Sequence, residues 1–158
     1  MKIIRRSMFE TNSSAVHSLV YTAGFKLSPC RLKLKNGCIT TQFGDFDKDY
    51  GRLTTQSEKL SYLVTLCTKS SIITKSDYDY YMQLLEDSYD FHNIEDDLKK
   101  HIPGMEKLVV KPSQGSNNHQ TLITDLYEFL GGYNNGSIAV SPAEFILCDD
   151  IIVEMGRD

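Results

Sequence analysis

Apolar and polar positions alternate along some stretches of this chain and recur every three or four residues along others, and these two periods divide it into strands and helices. Lys2–Ile4 reads as a short strand. Ala15–Tyr21 reads as a second, with Ala15, His17, Leu19 and Tyr21 on one face. Between RLKLK and CITTQF lies Asn36-Gly37, the preferred pair for a two-residue type I′ turn, which predicts a β-hairpin over residues 30–43. Its register sets Lys35 against Cys38 and Leu34 against Ile39, and runs on to Cys30 against Phe43. Cys30, Leu32, Leu34, Ile39, Thr41 and Phe43 then face a core, while Arg31, Lys33 and Lys35 face away. The same register holds Cys30 roughly 17 Å from Cys38, at ~3.3 Å per residue, too far for a disulfide.

Helical periods follow an acidic loop, Gly44–Gly51. Thr55-Gln56-Ser57-Glu58 is a capping box, and Leu60, Leu63, Val64 and Cys67 form the stripe of the helix it starts. Ser76 is the expected cap of a second helix, with Tyr78, Tyr81, Met82 and Leu85 inward. Asn93 is the expected cap of a third, with Ile94, Leu98 and Ile102 inward and Pro103-Gly104 as its stop. Glu106–Lys111 is an expected strand ended by Pro112, and Ser113–Asn118 a polar loop. Leu122, Ile123, Leu126, Phe129 and Leu130 predict a fourth helix stopped by Gly131-Gly132. Ser141-Pro142-Ala143-Glu144 is another cap signature, but Phe145–Met155 reads as a terminal strand bent at Asp149-Asp150. Strands at both ends with about four helices between them predict a single α+β domain over 1–158, with a mixed or antiparallel sheet.

Composition adds limits. With 158 residues, 41% hydrophobic and 24% charged, the chain has what a globular core needs. Its net charge of -4 argues against a general DNA coat, which takes clustered positive charge. Met1–Arg6 is basic, but the apolar run of a secretory signal does not follow it, and no stretch has the length of a membrane helix. Cys30, Cys38, Cys67 and Cys148 include no C-x-x-C pair. The expected setting is a reduced cytosol without membrane contact.

The candidate chemistry sits in two polar segments. FETNSSAVHSL brings Glu10, Thr11, Asn12, Ser13, Ser14 and His17 close together in sequence. Asn, Ser and Thr also build tight turns, and a His on an apolar strand face is often a satisfied core residue. Asn117-Asn118-His119-Gln120-Thr121 places a second His where a polar loop enters a helix. Two histidines across a phosphodiester can cleave it without a metal, one activating the nucleophile and one protonating the leaving oxygen. Asp45–Gly51 begins like a calcium loop, but Tyr50 stands where Gly is needed and Gln56 where a bidentate Glu is needed. The sequence contains no phosphate-cradling loop and no dinucleotide fingerprint.

The run RRSMFETNSSAVHSL resembles the N-terminus of a family of small proteins from phages and prophages of Gram-positive bacteria, which opens with a motif like R-x-x-F-E-T-N-S-S-S-x-H. The likeness continues at Gln42-Phe43-Gly44-Asp45-Phe46, at Lys59-Leu60-Ser61-Tyr62-Leu63 and at His119-Gln120-Thr121. Ala15 departs from the family's third Ser, Asn118 from its Asp and Thr121 from its Ser. The resemblance implies a phage accessory protein acting in the host bacterial cytosol.

The expectation is an enzyme acting on a nucleotide, a nucleotide-like signal or RNA. His17 and His119 would be its acid–base pair. Glu10 would orient His17 or bind a ribose, and Thr11, Asn12, Ser13, Ser14, Gln120 and Thr121 would hold the substrate. A metal-dependent version would use His17, His119 and Asp45. The alternative is a non-catalytic protein that sequesters a small ligand or inhibits a host defence protein. The Tyr78–Tyr89 region, with Tyr80 and Tyr89 facing out, would form that interface. The residues specify neither a cofactor nor an oligomeric state.

Overall fold

Antiparallel pairing joins the two ends of the chain in one sheet. In chain order the elements are β1 Ile3–Glu10, β2 Ala15–Thr22, β3 Leu34–Lys35, β4 Cys38–Gln42, β5 Gly51–Leu53, α1 Gln56–Thr68, α2 Tyr78–Glu86, α3 Tyr89–His101, β6 Lys107–Lys111, α4 Leu126–Phe129, α5 Pro142–Leu147 and β7 Ile151–Arg157. They come from a computed structural model, which describes residues 3–10, 15–22, 24–44, 46, 51–68, 78–112, 126–131 and 140–157. At 3–10, 15–16, 127–128 and 157 it describes the backbone alone.

The first sheet has the order β1-β2-β7-β5 and is antiparallel throughout. β2 lies between β1 and β7, with His17 paired to Phe9 on one side and Met155 on the other. A shift in β1 between Arg6 and Phe9 puts an extra residue in that strand, a β-bulge beside the His17 pairing. The second sheet has the order β3-β4-β6, with β3–β4 antiparallel and β4–β6 parallel. Its crossover from β4 to β6 carries β5, α1, α2 and α3. The fold class is therefore α+β, with strands at both ends of the chain.

The Asn36-Gly37 turn forms as expected. Both residues have positive φ (52° and 78°), and the pairs Lys35–Cys38 and Leu34–Ile39 are those the turn dictates. The hairpin stops there, however, and residues 30–33 are not a strand. β4 instead turns its other edge to β6, and Phe43 N–H donates to Lys111 O at 3.0 Å. Ile39 and Phe43 are buried as expected, but Leu34 and Cys30 are exposed. All four cysteines are free thiols.

Four further expectations need correction. β1 runs to Glu10, well beyond Ile4. Gly51–Leu53 leaves the acidic loop as a strand paired to β7. α3 starts at Ser88, whose side chain accepts from Phe91 N–H, so Asn93 lies inside the helix. The cap signature at Ser141 prevails over the strand expected from Phe145. Ser141 and Glu144 close a reciprocal capping box, Pro142 occupies the first turn, and Phe145–Leu147 is helical. Ser76 and residues 113–125 lie outside the described residues. Among the described residues no helix is long and apolar enough to cross a membrane.

One hydrophobic cluster joins the helices to both sheets. α1 runs through it, in contact with α2, α3, α4, α5 and β4. That central position gives α1 almost no solvent face, and Lys59–Leu66 is buried without a break.

Candidate functional site

The site begins with how α1 starts. Thr55 Oγ1 accepts from Glu58 N–H at 3.1 Å, and Glu58 Oε1 takes hydrogen bonds from Thr55 N–H and hydroxyl. This is the capping box read from the sequence. It fixes the helix phase, and with it the direction of three polar-bearing residues, Lys59, Ser61 and Tyr62.

Tyr62 is fully buried, and its Oη lies 2.8 Å from His17 Nδ1. Its ring meets those of Phe46 (5.1 Å between centroids) and Phe129 (5.3 Å). Burial pushes the phenol pKa well above its ordinary value, so the hydroxyl stays protonated. Beside it, Ser61 Oγ donates to Gln42 O at 2.5 Å, and Gly44 N–H donates to Thr65 Oγ1 at 3.1 Å. Gly44 is needed for close approach: a Cβ there would meet the Phe46 ring at 2.6 Å and Ser61 Oγ at 3.1 Å.

Three segments far apart in sequence thus converge on one point: the end of FETNSSAVHSL through His17, QFGDF through Gly44 and Phe46, and KLSYL through Ser61 and Tyr62. No family model, curated protein or solved structure matches this chain. The convergence rests on the geometry of these residues.

On the outer side of the Ser61–Gln42 contact an open cleft of about 450 Å3 runs between α1 and the second sheet. Ser57, Glu58 and Ser61 line it from α1, Thr40 and Gln42 from β4, and Lys111 from β6. Leu32, Leu60 and Phe46 supply apolar wall. Opposite charges at Glu58 and Lys111, hydroxyl donors between them and an aromatic edge form a set that suits a small polar ligand with an anionic group. The volume lies within the ~300–1,000 Å3 usual for such sites.

α1 carries a second buried polar group one turn earlier. Lys59 is fully buried, and its Nζ donates to Cys148 O at 2.6 Å and Ile151 O at 2.9 Å. These carbonyls lie at the C-cap of α5 and the start of β7, where a cation suits the negative end of the helix. The Phe145 ring lies under the ammonium, 5.7 Å away. Burial pulls the Lys59 pKa down to about 8, while Cys148, Asp149 and Asp150 pull the other way. Gln56 works beside it: Nε2 donates to Pro29 O and Leu147 O, and Oε1 accepts from Arg31 N–H. Arg31 also pairs with Asp149.

Of the residues expected at the site, His17 is in the interior, bonded to Tyr62 and at no point open to solvent. Glu10 ends β1 with its backbone paired to Val16. Thr11, Asn12, Ser13, Ser14, Asp45, His119, Gln120 and Thr121 lie outside the described residues. α4, which follows the His119 segment in the chain, packs against β1, the strand that leads into Thr11. Among the described residues no three His, Cys, Asp or Glu side chains gather as metal ligands.

Sequence reasoning passed over Lys59, Tyr62, Gln56 and Lys111 as chemistry. For the first two a signal existed. A Lys and a Tyr flanking an apolar helix stripe have a polar end that must find a partner if the helix is buried all round.

Proposed function

We infer that this protein binds a small phosphate-bearing ligand of the nucleotide class in the cleft between α1 and the second sheet, without catalysis by His17. One observation carries this reading: Lys111 and Glu58 face a common cleft of about 450 Å3 whose wall is built from QFGDF and KLSYL residues. Lys111 is the cation for a phosphate, Glu58 the acceptor for a sugar hydroxyl or an amino group, and Phe46 offers a ring edge to a base. The resemblance to phage and prophage proteins supports a setting in an infected bacterial cytosol, where sequestering a nucleotide signal would serve the phage.

The paired-histidine phosphodiesterase is the second reading. It asks His17 to exchange protons with substrate, and a fully buried ring bonded to Tyr62 favours an anchoring role over that one.

The test is titration calorimetry of wild type, Lys111→Ala, His17→Ala and His119→Ala with cyclic and linear nucleotides and short RNAs, with turnover followed in the same samples. The binding reading expects a nucleotide that binds without being consumed, with affinity about tenfold lower in Lys111→Ala, the usual scale for one charge-assisted contact. Turnover lost in both histidine variants replaces it with the enzyme. Binding that Lys111→Ala leaves untouched removes the ligand from this cleft.

A further inference from the structure

Five large apolar side chains among the described residues stand exposed: Leu27, Leu34, Tyr80, Leu84 and Tyr89. They fall into two groups of opposite charge. Leu27 and Leu34 belong to residues 24–43, which include no Asp or Glu. Tyr80, Leu84 and Tyr89 belong to residues 78–98, which include no Lys or Arg.

The acidic group forms one face. Tyr80 and Leu84 are neighbours at i, i+4 on the outer side of α2, 65% and 40% exposed, and Asp87 continues that stripe. Tyr89 opens α3 at 81% exposure. His92 Nε2 lies 2.7 Å from Glu86 O, which ties the first turn of α3 to the end of α2 and joins the two surfaces. Asp79, Glu86, Asp87 and Asp96 are exposed around the two tyrosines. Tyr78, by contrast, gives its hydroxyl to Val110 O at 2.6 Å and serves the fold.

Of the basic group, Leu34 lies at the other end of the same helix. Leu34 approaches Gly104, just past the C-terminus of α3, and is flanked by exposed Lys33 and Lys35. Glu106 lies against the turn at Gly37, and the stretch Lys33–Lys35 remains net positive. α3 repeats the polarity, with Asp90 in its first turn and Lys99, Lys100 and His101 in its last. At ~1.5 Å per residue the length of α3 separates the two faces by roughly 20 Å.

We propose that the acidic tyrosine face of one copy docks on the basic Lys33-Leu34-Lys35 face of a second copy of this chain. Each face supplies what the other needs. The tyrosines bring apolar area with hydroxyls at the tip, Leu34 gives them an apolar seat, and the carboxylates around them meet the lysines. A nucleic acid or an anionic membrane would be repelled by the same carboxylates. Two faces at opposite ends of one helix exclude each other within a chain and meet between chains. The contact is small and charge-rich, so it is reversible and sensitive to salt.

Sedimentation velocity from micromolar to millimolar protein, at low and high salt, tests this on the full chain. The expected result is association at low salt that high salt reverses. Lys33→Glu/Lys35→Glu and Asp79→Lys/Asp87→Lys should each lower the association constant by about tenfold or more, since each sets like charges face to face. All four positions are exposed, and far-UV circular dichroism checks that both variants fold. Mixing the two variants should restore association, because each keeps the face the other has lost. A wild type that stays monomeric throughout overturns the proposal and leaves the tyrosine face to a basic partner of another kind. Association that neither variant weakens, or a mixture that stays monomeric, overturns it as well.

Discussion

Lys59 and Tyr62 lie one turn apart on α1, both fully buried, and are satisfied in opposite ways. Lys59 is a cation whose hydrogen bonds go to main-chain carbonyls, those of Cys148 and Ile151. Tyr62 is neutral and pairs with a side chain, the Nδ1 of His17. The lysine therefore reports on backbone: it holds the exit of α5 against α1 at the point where the chain enters β7. The tyrosine reports on side chains: it collects the segments that carry the motif residues. A buried polar group with backbone partners secures topology, whereas one with a side-chain partner marks a junction whose chemistry can change residue by residue.

Lys59→Met provides the sharpest test. It keeps the volume and removes the ammonium from Ile151 O and from Cys148 O, which keeps only its bond from Ile151 N–H, so a stability loss of about 2 kcal/mol is expected in denaturant titration. A loss under about 1 kcal/mol, within the range of an ordinary surface change, would mean that the α5–β7 junction does not depend on it. Gly44→Ala should cost about 2 kcal/mol, because its Cβ meets ring carbons and Ser61 Oγ at distances that force a shift. It should also reshape the cleft, so nucleotide affinity is the second readout.

Tyr62→Phe keeps the ring contacts and removes only the hydroxyl. The expected loss is about 1 kcal/mol, as for one neutral hydrogen bond whose partner stays behind. If it exceeds that of Lys59→Met, the ranking of the two centres is reversed and the comparison fails.

The smallest effect is on pH. The folded pKa of Lys59 is about 8 against 10.5 for the free side chain, so between these values the unfolded chain holds more protons. Stability should therefore rise with pH, by about 1 kcal/mol from pH 7 to 9, and the rise should vanish in Lys59→Met. Toward pH 9 and beyond, Cys148 and Cys67, and then Tyr62, oppose the trend. Burial raises all three pKa values in the fold, so the unfolded chain ionises first. Thermal unfolding of the two proteins across this range checks both signs.

Much of the local structure was legible in the sequence. The turn at Asn36-Gly37, the capping box at Thr55–Glu58, the stop at Gly104 and the strand after it each depend on residues within four positions of one another. The hairpin departs from its expected length because a partner was distant, whereas the starts of α3 and α5 were decided by the local caps at Ser88 and Ser141. Residues 30–33 alternate as a strand should, yet β4 gives its free edge to β6, and the outer hairpin pairs never form. Phe145–Leu147 is an unbroken apolar run, as a buried strand can be, but the Ser141–Glu144 box wins because its two hydrogen bonds are local and Pro142 pre-sets the first turn. At the candidate site, the expectation placed His17 on an inward strand face, and it is inward. Its partner Tyr62 comes from a helix 45 residues away, and no spacing rule links them.

The sequence by itself determined the class of the fold, the cap at Thr55–Glu58, the turn at Asn36-Gly37 and the outward direction of Tyr80 and Tyr89, because each follows from backbone geometry and from periods of two and 3.6 residues. Only the tertiary structure decided that α1 is buried without a break along Lys59–Leu66, that Lys59 caps another helix, and that QFGDF and KLSYL share a cleft. Those outcomes depend on which surfaces remove the most apolar area from water while leaving every buried polar atom a partner, and that is a property of the whole assembly of elements.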